Sequence, residues 1–148
     1  MLSDLTVFVD MNVFVYSFDE RDLFKQKLAQ KWITALWHSR TGVISTQVLN
    51  ELYNVACKKF TQQKNISELR NDIQLLRVWR TELLDHDTID DAWALQDKFN
   101  FSYWDALIVS CARQAGCKIL LSEDLQSDLN VEGLRIINPF TTTPETLI

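Results

Sequence analysis

The sequence predicts a three-layer α/β/α sandwich built on a central parallel sheet, and three observations carry that prediction. Short, strongly apolar segments (Leu5–Val9, Val43–Ile44, Ile119–Leu121 and Leu134–Ile137) have the composition of strands covered on both faces. The stretches between them are long and carry helical periodicity, as crossovers between parallel strands require. Only three glycines and two prolines occur, which leaves little material for long irregular loops. A chain of 148 residues that is 47% hydrophobic can bury its own core without disulfides, so one domain over residues 1–148 is expected.

The elements follow in order. Leu5 to Asp10 reads as a buried strand. From Asp22 to about Arg40, Leu23, Leu28, Trp32 and Leu36 recur at helical spacing, with Gly42 as the stop. Val43 to Ser45 makes a second strand, after which Thr46 is expected to cap a helix running to about Thr61. Another helix is expected from about Ser67 to Leu84. Thr88, with Asp91 three residues on, should open a helix that ends near Phe99. Ser102 opens the next helix, which Gly116 ends; strands follow at Lys118–Leu121 and Leu134–Ile137, before Asn138 and Pro139.

Composition excludes several classes of function. The net charge of −5 argues against a protein that coats nucleic acid, since such proteins gain affinity from basic surfaces. The charge is unevenly placed: Lys58, Lys59, Lys64, Arg70, Arg77 and Arg80 share one central segment, either a solvated helical face or a phosphate-contacting surface. Cys57, Cys111 and Cys117 sit in apolar or helical contexts and read as small buried hydrophobes of a reducing compartment. No signal-peptide pattern or membrane-length apolar run occurs, so a cytoplasmic location is expected. The two histidines, His38 and His86, have no nucleophile partner pattern, and no glycine-rich phosphate loop is present.

Four acids stand out because each lies beside or inside apolar sequence: Asp10, Glu51, Asp105 and Asp124. Asp10 closes the first strand and Asp124 follows another strand, while Glu51 and Asp105 lie in early turns of helices. In a parallel sheet those positions share the carboxyl edge. Carboxylates that converge away from water need a cation, and a divalent ion held by oxygen ligands is the economical one. Each acid also has a plainer reading. Asp10 could open a turn, Asp105 could complete a capping box with Ser102, and Glu51 could lie on a surface. Asp124 could cap a helical turn, and the adjacent Glu123 competes with it for the same place. Against a pure cap, helical geometry at ~100° per residue puts Asp105 in the apolar arc with Val109 and Ala112, while Tyr103, Ser110, Arg113 and Gln114 form the polar arc. Asp85, Asp87, Asp90, Asp91 and Asp97 cluster in polar sequence and read as solvated.

At these acids the chain resembles a known family. Val9-Asp10-Met11-Asn12-Val13 is similar to the opening of PIN-domain ribonucleases, usually D-[ST]-N-V. Glu51, in Ser45-Thr-Gln-Val-Leu-Asn-Glu51, looks like the second acid motif, Ser102-x-x-Asp105-Ala106 the third, and Ser122-Glu-Asp124 the fourth. By size the nearest subgroup is the VapC-like toxin of bacterial toxin–antitoxin pairs. The resemblance implies a PIN-like sandwich and a Mg²⁺- or Mn²⁺-dependent endoribonuclease. Its metal-binding acids would be Asp10, Glu51, Asp105 and Asp124, supported by Asn12 and Ser122. It further implies an RNA substrate, a cognate antitoxin and a homodimer, with no membrane partner. Tyr53, Phe60, Leu76 and Trp79 could serve a dimer or peptide groove, or simply the core. Met11 departs from the family's small hydroxyl residue. The rival readings are a non-catalytic PIN-like module that binds protein or RNA, and a housekeeping RNA-processing nuclease. A phosphotransfer receiver would need an early acid pair, which is absent.

Overall fold

Val7, Phe8 and Val9 form β1 (Val7–Val9), with no side chain of the three exposed, because it runs between two parallel neighbours and beneath helices on both faces. The structure, a computed structural model, describes residues 5–147. The other strands are β2 (Gly42–Ser45), β3 (Arg80–Glu82), β4 (Ile119–Leu121), β5 (Asn130–Val131) and β6 (Leu134–Ile137). They form one sheet in the order β3-β2-β1-β4-β6-β5, parallel except for β5, which pairs antiparallel with β6. The helices are α1 (Met11–Phe18), α2 (Leu23–Ser39), α3 (Thr46–Lys59), α4 (Ile66–Leu75), α5 (His86–Phe99) and α6 (Tyr103–Gln114). Helix α1 packs on both α2 and α3, α3 packs on α4, and α5 packs on α6. By the general rule that crossovers between parallel strands are right-handed, the two groups fall on opposite faces, because the chain reverses its direction across the sheet after β3. This is the α/β/α sandwich the sequence predicts.

Several boundaries differ from the sequence expectation, each for a local reason. Met11–Phe18, to which the pattern assigns no element, is α1. Its valines and phenylalanines favour strand, but Asp10 caps it and its apolar side packs on α2 and α3. Arg40, left-handed at φ 59°, ends α2 instead of Gly42. Ser45, not Thr46, caps α3: its hydroxyl accepts from the Val48 N–H at 3.2 Å. The helix expected as far as Leu84 stops at Leu75. The buried spacing Leu69, Ile73, Leu76 continues into a 3-10 turn (Leu76–Val78), and extended Trp79 then leads into the half-exposed edge strand β3. Asp85, not Thr88, caps α5, and Thr88 completes the box from the third helical position. Ser110 is not on a polar arc: it is fully buried and donates to the Thr88 carbonyl at 2.8 Å, because α6 is covered by α5 as well as by the sheet.

The segments that follow α3 and α4 give their large side chains to the interior. Phe60, Leu76 and Trp79 are buried, and only Tyr53 of the four aromatic or aliphatic candidates is half-exposed. Trp32, fully buried on α2, donates its indole N–H to the carbonyls of Pro139 and Thr142 at 3.0 Å each and so ties the C-terminal segment to α2. Cys111 and Cys117 are buried thiols whose pKa values burial pushes up to about 12, which suits packing and not redox work. Among the described residues no helix is long and apolar enough to cross a membrane.

Gly42 begins β2 where the Trp79 ring lies flat against the strand, so that a Cβ there would stand 2.7 Å from two ring carbons. The ring packs against Phe14 and Trp37, so moving it away from a Cβ would disturb both contacts. Gly42→Ala is therefore expected to destabilise the protein by about 1–3 kcal/mol, read as a lowered urea midpoint at unchanged slope.

Candidate active site

Asp10 leaves β1 at its carboxyl end, where its own N–H donates to the Leu121 carbonyl of β4. It is also the N-cap of α1, and its carboxylate accepts from the Met11 N–H at 2.7 Å and from the Ser122 hydroxyl at 2.9 Å. Met11 thus serves through its backbone, and the missing side-chain hydroxyl at that position leaves this contact intact. Ser122, itself fully buried just past β4, has its oxygen occupied by the Asp124 N–H at 3.2 Å, which aims its proton at Asp10. Only 5% of Asp10 is exposed. Burial raises its pKa to about 6; the Met11 and Ser122 hydrogen bonds oppose that shift, and the charges of Asp124 and Glu51 add to it.

Asp124 receives the Asn12 amide N–H at 2.6 Å from the first turn of α1. Loss of hydration holds its carboxyl above the ordinary range, the charges of Asp105 and Glu123 raise it further, and the Asn12 amide pulls it back. Glu123 turns elsewhere: its carboxylate accepts from Lys25 Nζ at 2.9 Å, and that ammonium also lies over the rings of Tyr16 and Phe140. Of the two adjacent acids, Glu123 is thus neutralised at α2, and Asp124 is the one beside Asn12.

Glu51 projects from the second turn of α3 and accepts from the Gln47 amide one turn earlier at 2.8 Å. Asp105 lies in the first turn of α6, where its N–H donates to the Ser102 hydroxyl at 3.2 Å; among the described residues no donor engages its carboxylate, so the capping box is only half made. The Gln47 amide also reaches the Trp104 carbonyl at 3.3 Å and so links α3 to α6 across the site. Gln47 and Lys25 escaped the sequence reading. The first was findable from its spacing of four residues before Glu51, whereas nothing in the sequence pairs Lys25 with Glu123.

The four acids therefore gather at one edge of the sheet, where the charges of Asp124 and Glu51 act on Asp10 and that of Asp105 acts on Asp124. Among the described residues none of them has a Lys or Arg partner in an ion pair or hydrogen bond. Nor do any three Asp, Glu, His or Cys side chains there stand close enough to form a ready-made cage for a metal ion. The donor chemistry fits a hard divalent cation, with carboxylate oxygens, one of them buried, and no thiolate or imidazole. Elsewhere acids are neutralised or put to use: Asp91 binds Arg113, and Asp85 caps α5 with its carboxyl held low by the Thr88 N–H. Two of the five acids read as solvated are thus structural.

The PIN domain family model matches residues 7–128. Among solved structures, a chain of a toxin–antitoxin complex from Klebsiella pneumoniae is similar at a TM-score of 0.69 and 16% identity, over 90% of this chain and 98% of that one. VapC20 from Mycobacterium tuberculosis, described as a toxin that cleaves the sarcin–ricin loop, is similar at 0.62 and 21% identity, over 80% and 92%. VapBC2 from Rickettsia felis, solved with a fragment of its promoter DNA, is similar at 0.64 and 16% identity, over 89% and 97%. Among curated proteins no sequence matches.

A carboxyl whose pKa rises from 3.8 in the unfolded chain to about 6 in the folded one binds its proton more tightly when folded. Its contribution to stability is therefore present at low pH and lost as pH rises through that window. In EDTA, Asp10→Asn should be more stable than the parent at neutral pH by at most about 3 kcal/mol. The gap should open between pH 4 and 6 and level off above; urea melts of both proteins across that range check it.

Proposed function

This chain belongs to the PIN-domain family, and from that premise we propose that it is a metal-dependent endoribonuclease acting as the toxin of a VapBC-type toxin–antitoxin pair. The observation that carries the reading is the buried Asp10 carboxylate, facing Asp124 and Glu51 with no basic side chain to neutralise it. Structure alone would not retain such a group, since an unpaired buried charge costs several kcal/mol. Mg²⁺ or Mn²⁺ would be held by Asp10, Glu51, Asp105 and Asp124, and when bound it supplies neutralising charge for the phosphate and acidifies the attacking water.

The chain's own residues do the rest. Ser122 and the Met11 N–H fix the Asp10 carboxylate in one orientation, so its remaining lone pairs face the site. Asn12 fixes Asp124 in the same way without adding charge, and Gln47 holds Glu51. Ser102 sets the first turn of α6 and with it the position of Asp105. Water is the nucleophile in this reading, so the products carry a 3′-hydroxyl and a 5′-phosphate and the RNA 2′-hydroxyl is not needed.

The likeness to VapC and VapBC structures supports an antitoxin partner, and a homodimer, which the family resemblance implies, is part of the same proposal. A cytoplasmic location belongs with them. Growth arrest when the chain is expressed alone, relieved by its neighbouring gene, separates a toxin from a housekeeping nuclease.

Incubated with total cellular RNA, the chain should cut in Mg²⁺ or Mn²⁺ and stop in EDTA. Asp10→Asn and Asp105→Asn should each lower the rate by roughly 100-fold or more. Ser122→Ala, which removes the hydrogen bond to Asp10 and the acceptor of the Asp124 N–H, should lower metal affinity or rate by about 10–100-fold. Cutting that persists in EDTA, or in Asp10→Asn, would overturn the assignment.

A further inference from the structure

A site that repels anions must obtain its hold on a polyanion from cations placed nearby, and their distribution is uneven. Of the fifteen Lys and Arg side chains, eight are held in ion pairs among the described residues. Two of those eight, Lys64 and Arg80, come from the basic central segment and are spent on Asp72 and Glu82. Of the seven that remain, Lys58, Lys59, Arg70 and Arg77 lie on α3, on α4 or in the turn after it. Arg40 and Lys118 lie at the amino ends of β2 and β4, the sheet edge away from the acids, and Lys27 is on α2.

Between α3 and α4 runs an open groove of about 400 Å³ lined by Leu49, Asn50, Tyr53, Arg70, Ile73 and Arg77. Arg70 donates its Nε–H to the Tyr53 hydroxyl at 3.0 Å, with its guanidinium 5.7 Å from the centre of that ring. One donor of the fork is thus spent on orientation, and the two terminal nitrogens remain for an oxyanion. Arg77, exposed, has no acidic partner among the described residues. Helix α3 joins this groove to the acids, because its two shoulders face different ways. Gln47 and Glu51, four apart, face the acids, and Leu49 and Tyr53, four apart, face α4. The exposed ridge between them carries Asn50 and Asn54, and a helix is only ~10 Å across.

We propose that this groove binds the single-stranded RNA substrate next to the cleavage position, with Arg70 and Arg77 taking backbone phosphates and Tyr53 offering its ring to a base. The proposal rests on the nuclease reading and names where that substrate lies. Charge complementarity selects RNA: paired guanidinium forks beside an aromatic ring match alternating phosphates and bases. The half-apolar lining lets a base sit down, which a purely cationic rim would not.

The test is fluorescence anisotropy of a short fluorescein-labelled oligouridylate with the full chain in EDTA, across a salt series. Arg70→Ala and Arg77→Ala should each weaken binding about tenfold and lower the slope of log K against log salt by about 0.7 per lost phosphate contact. Arg70→Lys should recover only part of the loss, since it keeps the charge but not the fork. Both arginines are exposed, and unchanged thermal melts exclude unfolding. Arg40→Ala and Lys118→Ala, at the opposite edge, should bind like the parent. Unchanged affinity and slope in the double arginine variant would overturn the proposal. So would equal losses in the opposite-edge variants, or oligoglutamate displacing RNA as effectively as unlabelled RNA does, which would mark an acidic-peptide site. Cleavage in Mg²⁺ separates the two readings. If the parent cuts and the double arginine variant cuts with the same KM, the groove falls and the nuclease stands. If the parent never cuts but the variants lose RNA binding, the nuclease falls and the groove stands.

Discussion

The constraint on which the rest depends is a carboxylate buried at the carboxyl end of the central strand. β1 has a parallel neighbour on each side, and both continue the chain into parts of the site. β2 leads directly into α3 and Glu51, and β4 leads into Ser122 and Asp124. Asp10 is held between these two exits by the Leu121 carbonyl, the Met11 N–H and the Ser122 hydroxyl. Backbone and hydroxyl dipoles compensate part of the lost hydration, yet the group remains strained toward its protonated form. The same residue caps α1, where the helix N-terminus favours negative charge. One side chain thus begins a helix and anchors the acidic edge, so the fold and the site share a single point of control.

Charge elsewhere is arranged so that this edge keeps its negative field. Lys25, on the side of the acids, is tied to another acid, and so are Arg113 and Arg135 at the opposite edge of the sheet. Lys25 is tied to Glu123, Arg113 to Asp91 and Glu132, and Arg135 to Asp128. The net charge of −5 is therefore not spread evenly, and a substrate with its own negative charge would approach along the side where cations are left uncommitted. Helix α3 lies between those two regions and carries a residue of the acidic edge on one shoulder and a residue of the basic groove on the other.

The parts of the fold legible in the sequence are those where one signal acted alone. β6 and the body of α2 follow from apolar patterning, and the start of α6 from Ser102. Elements were left unassigned or misread where two signals conflicted. Met11–Phe18 has strand-like residues but is too tightly committed by the Asp10 cap and by packing to be anything but helix. The run from Leu69 to Leu83 keeps helical spacing across a real break, because buried Leu76 and Trp79 fall in phase with α4 although Trp79 is already extended. β5, two residues long, exists only by virtue of its partner β6. The acids drew notice because a carboxylate in apolar sequence is conspicuous. Of the residues that hold them, Asn12 and Ser122 were named through the family motifs and Gln47 was findable from its spacing before Glu51. Lys25 was not, because it reaches Glu123 from 98 residues away and no local pattern encodes that.

The pair Glu123 and Asp124 shows how the fold settles what adjacency in sequence leaves open. Successive side chains after a strand leave in different directions, so only one of the two can face the Asp10 side. Two features select Asp124. Its N–H is spent on the Ser122 hydroxyl, which locks the loop in register with Asp10, and its carboxylate is met by Asn12 from α1. Glu123 is drawn the other way by Lys25, whose ammonium is held over Tyr16 and Phe140 and so is itself fixed in place. That ion pair does more for position than for stability, since a partly exposed pair contributes little energy. Its effect is to hold one carboxylate away from an edge already crowded with charge. Even from where it stands, the charge of Glu123 raises the Asp124 carboxyl, and a Glu123 freed from Lys25 would raise it further. Lys25, bound to the residue next to Asp124, thereby keeps the acids available to a cation without itself pairing with any of the four.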